Sequence, residues 1–463
     1  MTDVLIINSP LFRFKNPLYD EDSLPPIGLG YIATALQNRG FRVELVDAVA
    51  NNIPLTELAD LVKHKLPRFV AMNIFTTNYN LVKDLVESID VPVSFIIGGL
   101  STKTLHPAVC GWRTPNFIDV VIGDGEYITP DIVADAVTET PIYEAEKRRV
   151  LKVDSRSKYF PSDISGIPLD RTFFRNEPIK HLFGFTEANI VTSRGCVYNC
   201  AFCAAARSLN QDFAVRSKSV EGIVDELTYI SSLYPSLDSI RVLDDLFLKT
   251  KQSLSKAVAV FSRFSLQWRS MAHVMTFRGA DSDLIRQVKR SGCSELFIGI
   301  ESGSPEVLRR IHKTDNPALV LETLTNLFRA GINVKGYFIY GFPGETESDF
   351  QMTYELACRL KDASLKHGAR FRPSVFQFRP YHGTELYHDV ETRSHGEGMG
   401  AVESIEPNTA LSTLVGRLQF NFHSGNYSAA DLETVHKYIY QTTNLNSVEL
   451  FAIRNDCHQP SPL

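Results

Sequence analysis

The chain has 463 residues, 44% hydrophobic and 22% charged, with a formal net charge of -5. That length exceeds one ordinary core and predicts two or three domains; the apolar content excludes a disordered chain, and the acidic balance argues against a dominant nucleic-acid-binding surface. No segment approaches the roughly 20 apolar residues that span a bilayer, and the short apolar run at residues 4–7, without a basic leader, does not make a signal peptide.

Residues 4–7 are rich in β-branched side chains and end in Asn8-Ser9-Pro10, a strand followed by a loop. Leu29, Ile32, Ala33 and Leu36 then fall at helical spacing, with Pro25-Pro26 before them and Gly40 after them as start and stop signals. Apolar runs at 43–46, 69–74, 93–97 and 120–122 alternate with helical patterns at 55–65 and 79–89, which predicts a parallel, doubly wound sheet. Ligands on such sheets bind at the carboxyl ends of the strands. There the glycines cluster, as Gly98-Gly99 and as Gly123-Asp124-Gly125-Glu126.

A single glycine turn mostly serves to reverse the chain. In this order, with Pro25-Pro26-Ile27-Gly28-Leu29-Gly30-Tyr31, Asp47-Ala48 and residues 73–78, the segments resemble the cobalamin-binding domain that precedes many radical S-adenosylmethionine (SAM) proteins. The resemblance implies that Gly98, Gly99, Gly123, Gly125 and Glu126 border cobalamin; the plainer reading is a relic domain without a cofactor. The DxHxxG motif that gives cobalt a histidine is missing, the first loop reading Asn8-Ser9-Pro10-Leu11-Phe12, so the cobalt would carry no protein histidine. No GxxxxGK[ST] loop is present, which disfavours a nucleoside triphosphate.

Residues 141–187, charged and then proline-rich without periodicity, read as a linker over a domain junction. Strand candidates follow at 188–193, 239–245, 269–275, 295–302, 333–341 and 371–379, separated by helical stretches. After the first comes Ser-Arg-Gly-Cys-Val-Tyr-Asn-Cys-Ala-Phe-Cys, with thiols at Cys196, Cys200 and Cys203. Thiolates are soft ligands for zinc and iron-sulfur clusters, and a CxxxCxxC run holds three irons of a four-iron cluster while the fourth stays open. A structural zinc site wants four ligands, usually as two pairs, and no second pair exists. The other four cysteines, Cys110, Cys293, Cys358 and Cys457, are scattered as buried small hydrophobes usually are. Clustered free thiols without an export signal point to a reducing cytoplasm.

The cysteine run, with Phe202 directly before its last thiol and Arg194-Gly195 before its first, resembles the signature of the radical SAM enzymes. The resemblance implies Cys196, Cys200 and Cys203 as cluster ligands, Phe202 as a shield beside cluster and SAM, and an open iron that chelates SAM. Other segments follow in the family's order. Leu243-Asp244-Asp245-Leu246-Phe247 resembles its Asp-Asp-x-Phe segment, where Asp244 and Asp245 would meet the SAM amino group; from the residues alone the pair could equally be an acid/base couple or a helix cap. Gly299-Ile300-Glu301-Ser302-Gly303 resembles its GxESG segment and implies SAM contacts at Gly299, Glu301 and Ser302. Gly341-Phe342-Pro343-Gly344-Glu345-Thr346 resembles its GFPGET turn, read as structural with Thr346 as a helix cap. Pro380-Tyr381-His382-Gly383-Thr384 resembles its P-x-PGT segment with His382 in place of proline, either facing solvent or touching substrate. Beyond it, residues 396–407 read as loop, residues 428–440 as a capped helix and residues 455–463 as a mobile tail.

The expected fold is therefore α/β: an N-terminal doubly wound, Rossmann-like cobalamin-binding domain over 1–140, the linker 141–187, a partial (β/α)6 radical SAM barrel over 188–385 and a small C-terminal helical extension over 386–463. The expected cofactors are a [4Fe-4S] cluster, SAM and cobalamin. The expected activity is SAM cleavage to a 5′-deoxyadenosyl radical and methylation of an unactivated carbon in a small-molecule intermediate, with an electron donor such as flavodoxin or ferredoxin. Radical cyclisation or rearrangement without methyl transfer is the alternative, and a non-catalytic cobalamin sensor would leave the thiols without a purpose. Methylthiolation of tRNA fits poorly, because the N-terminal domain of that group carries three cysteines and this one has Cys110 alone.

Overall fold

The computed structural model describes residues 2–9, 24–181, 184–314, 316–394 and 426–446, organised by two seven-stranded sheets. The first contains β1 (Val4–Asn8), β2 (Val43–Asp47), β3 (Phe69–Asn73), β4 (Ser94–Gly98), β5 (Phe117–Gly123), β6 (Tyr143–Ala145) and β7 (Arg148–Val153), in the order β2-β1-β3-β4-β5-β7-β6. All pairs are parallel except β6 with β7. Successive side chains of a strand point to opposite faces, and here both faces are covered. Val4, Ile6, Ala71, Ile96 and Val121 pack with Leu29, Ala33 and Leu36 of α1 (Ile27–Asn38). Leu5, Ile7, Val70, Met72, Phe95 and Ile97 pack on the other side with α2 (Leu55–Lys65), α3 (Tyr79–Ser88) and α4 (Thr102–Cys110). A short α5 (Ile128–Val133) completes the layer over α1. The order reverses between β1 and β3, so the crevice for a ligand opens above the carboxyl ends of those two strands.

The second sheet contains β8 (Ile179–Lys180), β9 (Thr186–Ile190), β12 (Ser239–Val242), β13 (Gln267–Ala272), β14 (Cys293–Glu301), β15 (Asn333–Tyr340) and β16 (Phe371–Gln377), ordered β16-β15-β14-β13-β12-β9-β8. The six strands from β9 to β16 are parallel and neighbour one another in chain order, the curled half-barrel expected from the sequence. A ribbon of β10 (Ser193–Arg194) and β11 (Arg216–Ser217) stands above the end of β9. Ile190, Ile240, Ile298, Val334 and Phe338 face the helices α6 (Val220–Leu233), α7 (Lys251–Phe261), α8 (Ser282–Arg290), α10 (Pro317–Arg329) and α11 (Glu347–Lys366) in the largest core. The side chains between them are charged: Arg269 donates to Glu187 at 2.8 Å and to Glu295 at 3.2 Å, and Arg372 to Glu295 at 2.7 Å. Buried charges are tolerable in this arrangement because each meets an opposite one.

The stretch read as a linker is more ordered than expected. Residues 143–153 form the hairpin β6–β7 that extends the first sheet, and 179–180 form β8 at the edge of the second. Charged residues flanking Val150, Leu151 and Val153 hide the strand pattern, yet those three side chains are fully buried. Arg171 in the same stretch is also buried, held by Glu177 at 2.5 Å and by the Asn189 carbonyl at 2.8 Å. At the far end, α12 (Glu385–Ser394) is followed by α13 (Leu432–Thr443), which Asp431 caps by accepting from Thr434 N at 2.7 Å. Val435, Tyr438 and Ile439 of α13 finish the half-barrel core beside α11 and β16. The expected loop at 396–407 and the tail at 455–463 lie outside the described residues. Among the described residues no helix is long and apolar enough to cross a membrane.

Candidate active site

The cysteine loop leaves β9 and is fixed from below by the two aspartates after β12. Asp244 is buried and accepts from Thr192 N at 2.6 Å, Thr192 Oγ1 at 2.7 Å and Ser193 Oγ at 2.6 Å. Lys249 Nζ adds a bond to Ser193 Oγ at 2.9 Å. Asp245 points the other way, accepts from Gly195 N at 3.1 Å and borders a cavity together with Cys196. Of the pair, Asp244 therefore shapes the loop while Asp245 faces open space. Cys203 N bonds Cys200 O at 3.1 Å in a tight turn, and Ala201 N bonds Ile311 O at 3.2 Å. Burial pushes the Cys200 thiol up and the Cys203 thiol up to about 12, so both are protonated until a metal replaces the proton. Among the described residues no three His, Cys, Asp or Glu side chains converge on a single ion; a four-iron cube instead takes each thiolate on a separate iron.

Around the loop stand the other strand ends. Glu301, at the end of β14, adopts a left-handed backbone with φ 66° and is buried against Lys313, whose Nζ lies 3.2 Å from Glu301 Oε1 and 3.3 Å from Gly299 O. A non-glycine residue held in that backbone region is a common sign of a functional site. Burial pushes the Glu301 carboxyl up and the Lys313 ammonium opposes it. A Cβ on Gly299 would sit 2.2 Å from Glu301 Oε1, so the glycine makes room for the pair. Ser302 is fully buried and shares a hydrogen bond of 2.9 Å with Thr353, tying β14 to α11. Phe202 packs on Phe342 with ring centroids 5.7 Å apart, so the aromatic before the third thiol is backed by the GFPGET turn. Thr346 caps α11 in a capping box with Asp349, as expected. Two participants had no signal in the sequence. Lys313 arrives from the loop after α9 (Pro305–Arg310), and His273, after β13, stacks on Tyr198 of the cysteine loop at 3.8 Å.

Above the first sheet, a cavity of about 660 Å³ is lined by Asn8, Gly28, Asn73, Gly99, Gly123, Gly125, Glu126 and Arg194. A second of about 260 Å³ shares Gly99, Gly123, Asp124 and Arg194 with it and reaches Cys196 and Asp245. Gly99, with φ 102°, could carry no side chain, because a Cβ would meet Ile74 O at 2.6 Å. Gly98 lines neither cavity. His382 is neither solvent-facing nor in these cavities: it is buried between the sheets' layers, with Nδ1 3.1 Å from Thr76 Oγ1. The preceding strand ends at the seam between the two halves, which no pattern in residues 380–384 could announce.

Two family models match the chain, one described as Radical SAM superfamily over residues 190–357 and one described as B12 binding domain over residues 21–133. The chain belongs to the radical SAM enzymes that carry a B12-binding domain. Among curated relatives of this radical SAM protein, an uncharacterized methyltransferase of Pyrococcus horikoshii is 26% identical over 374 residues, 78% of each chain. The cytidylyl-2-hydroxyethylphosphonate methyltransferase of Streptomyces wedmorensis is 23% identical over 447 residues, 83% of this chain and 80% of that protein. Among solved structures, the cobalamin-dependent radical enzyme OxsB with aqua-cobalamin and SAM bound superposes with a TM-score of 0.63 at 14% identity, over 98% of this chain and 66% of that one. This chain thus spans just under two thirds of that neighbour. The radical SAM methyltransferase TsrM from Kitasatospora setae, with tryptophan substrate and a SAM analog bound, gives 0.63 at 17% identity over 96% of this chain and 89% of that one. At these identities the likeness is one of fold.

The residues of this radical SAM chain fit the groups its family implies. Three thiols on one loop match a cluster with an open iron. In the larger cavity, space is free where Gly28 would carry a Cβ, and Glu126 Oε2 is buried without a hydrogen-bond partner among the described residues. An acceptor left in that state suits a ligand with amide donors, since a buried unsatisfied oxygen otherwise costs about 1–3 kcal/mol.

Proposed function

We propose that the chain is a cobalamin-dependent radical SAM methyltransferase acting on an unactivated carbon of a small molecule. The observation that carries this reading is the adjacency of the two cavities: the space bordered by Cys196 and Asp245 shares the lining residues Gly99, Gly123, Asp124 and Arg194 with the space above the first sheet. When bound, the cluster supplies the electron that cleaves SAM and cobalamin supplies the methyl group. The chain's own work is placement. Cys196, Cys200 and Cys203 would hold the cluster, and Asp244 keeps their loop in register through Thr192 and Ser193. Asp245 and the Glu301–Lys313 pair would meet the charged end of SAM. Phe202, backed by Phe342, would keep water from that side. Gly99, Gly123, Gly125 and Glu126 would border cobalamin. A low-potential one-electron donor such as flavodoxin or ferredoxin would feed the cluster in the reducing cytoplasm.

The test is anaerobic reconstitution with iron, sulfide and cobalamin, then SAM and a strong reductant. Production of 5′-deoxyadenosine is expected from the native chain and is expected to vanish in Cys196→Ala, Cys200→Ala and Cys203→Ala; a variant that still makes it sinks the cluster assignment. Given methyl-labelled SAM and a small-molecule extract, the native chain should return a metabolite with the label on carbon. A radical product of changed connectivity without the label would favour cyclisation or rearrangement.

A further inference from the structure

β10 and β11 form a ladder of two residues each, with Arg194 directly opposite Arg216. A ribbon that short has no stability of its own, and like charges facing one another across strands repel. Another part of the chain neutralises it. Asp124 takes one guanidinium on each carboxylate oxygen, Arg194 Nη1 at 3.0 Å on Oδ1 and Arg216 Nη1 on Oδ2. Glu126 takes the remaining prong, Arg194 Nη2, at 2.5 Å on Oε1. Aromatic rings support both cations: Tyr31 lies 5.3 Å from Arg194, and Phe160 lies 3.9 Å from Arg216. Arg216 also donates to Pro161 O at 2.9 Å.

The acidic side of this contact is as constrained as the basic side. Gly123 has φ 101°, and a Cβ there would stand 2.4 Å from Val153 O and 2.7 Å from the Phe213 ring, which belongs to the segment returning from the cysteine loop. The turn that presents Asp124 and Glu126 is thus pressed on that segment and leaves no room for a side chain at position 123. Cys196 lies two residues beyond Arg194, and Gly195 between them is fixed to Asp245 at 3.1 Å. The first thiol is therefore held from two directions, by the half-barrel through Asp245 and by the B12-binding domain through Asp124.

We propose that Arg194 and Arg216, gripping Asp124 and Glu126, are positioning residues that set where the cysteine loop stands relative to the cavity of the B12-binding domain. The assignment rests on the function proposed above only in its consequence, the separation of cluster and cobalamin; the latch itself concerns the protein alone.

The test has two readouts. In the chain without cofactors, amide hydrogen exchange over residues 193–217 is expected to quicken about tenfold in Arg194→Gln and Asp124→Asn, the effect of losing roughly one charge-assisted bond, while residues 239–245 keep their rate. Arg194→Lys, which restores one charge without the fork, should recover part of the protection. In the chain reconstituted with cluster and cobalamin, the reduced cluster is expected to speed the spin relaxation of cob(II)alamin, and the variants should load both groups while losing most of that enhancement. Native exchange rates in both variants, or undiminished relaxation enhancement, would overturn the proposal. If Arg194→Gln does not fold, Asp124→Asn, which keeps both guanidiniums, decides the question. A chain that binds no cobalamin at all would defeat the proposed function, and the exchange rates alone would then decide whether the latch exists.

Discussion

Replacing Asp244 by Ala separates two roles that the paired aspartates share in sequence. In the structure Asp244 is 3% exposed and receives three donors, Thr192 N, Thr192 Oγ1 and Ser193 Oγ, at 2.6–2.7 Å. Removing the acceptor strands a buried backbone N–H and two hydroxyls, and a stranded buried donor costs about 1–3 kcal/mol. The hydroxyls can turn to other acceptors, so a total of about 3 kcal/mol is the expected loss. For a domain of 150–250 residues each kcal/mol moves Tm by about 2–4 °C, which predicts a fall of about 6–12 °C. Asp245→Ala, which gives up one bond at 3.1 Å from an exposed position, should stay within about 3 °C of native. Differential scanning calorimetry of the cofactor-free proteins, followed by iron analysis after reconstitution, reads both effects. The Asp244 variant should melt early and hold iron poorly, and the Asp245 variant should melt normally and hold iron while binding SAM weakly. Equal melting of the two variants would refute the division of labour.

Glu345 accepts from Gly341 N at 2.7 Å and Phe342 N at 2.9 Å, but its Oε1 is buried without a partner among the described residues, and burial pushes the carboxyl up to about 8. A carboxyl raised above its unfolded value stabilises below about pH 4.5, and that stability is lost as pH rises through about 8. Urea titrations should show a decline of about 3–5 kcal/mol between those limits, and Glu345→Gln should flatten it; a slope unchanged in the variant would show that another group is responsible. Gly299→Ala places a Cβ 2.2 Å from Glu301 Oε1 and should displace the Glu301–Lys313 pair. Calorimetric titration with SAM in the reconstituted protein should then show about tenfold weaker binding, the effect of roughly 1.4 kcal/mol; native affinity would place the pair away from SAM. His382→Ala removes the bond to Thr76 across the seam and should raise protease sensitivity at residues 380–384 without changing iron content.

The inner strands of the first sheet were legible as short apolar runs buried on both faces, and the six parallel strands of the second as segments whose apolar residues face the helices while polar and charged ones alternate with them. β7 was not, since its buried Val150, Leu151 and Val153 are interleaved with Arg148, Arg149 and Lys152, whose charges are met by the Asn116 carbonyl, Asp119 and Asp212. α4 was hidden by Pro107 inside it. The cysteine loop announces itself because three soft ligands at one spacing have few other uses. The partition between Asp244 and Asp245, or between Glu301 and Ser302, could not be read, because adjacent residues at a strand end point in opposite directions and only the register of the neighbouring strand decides which faces inward. Lys313 and His273 reach the site from loops distant in sequence. The same is true of the seam, where Arg194 meets Asp124 seventy residues away through a charge pairing that neither segment reveals alone.

An iron cluster held by three thiols at the wall of a corrinoid cavity fixes the composition of the loaded protein. Its most direct measurement is metal, sulfide and corrinoid content per chain after anaerobic reconstitution, with the absorption spectrum of the purified protein. About four irons, four sulfides and one corrinoid per chain are expected, with the iron lost and the corrinoid kept in Cys200→Ala. Zinc in place of iron, or a protein that takes up the cluster and no corrinoid, would contradict it.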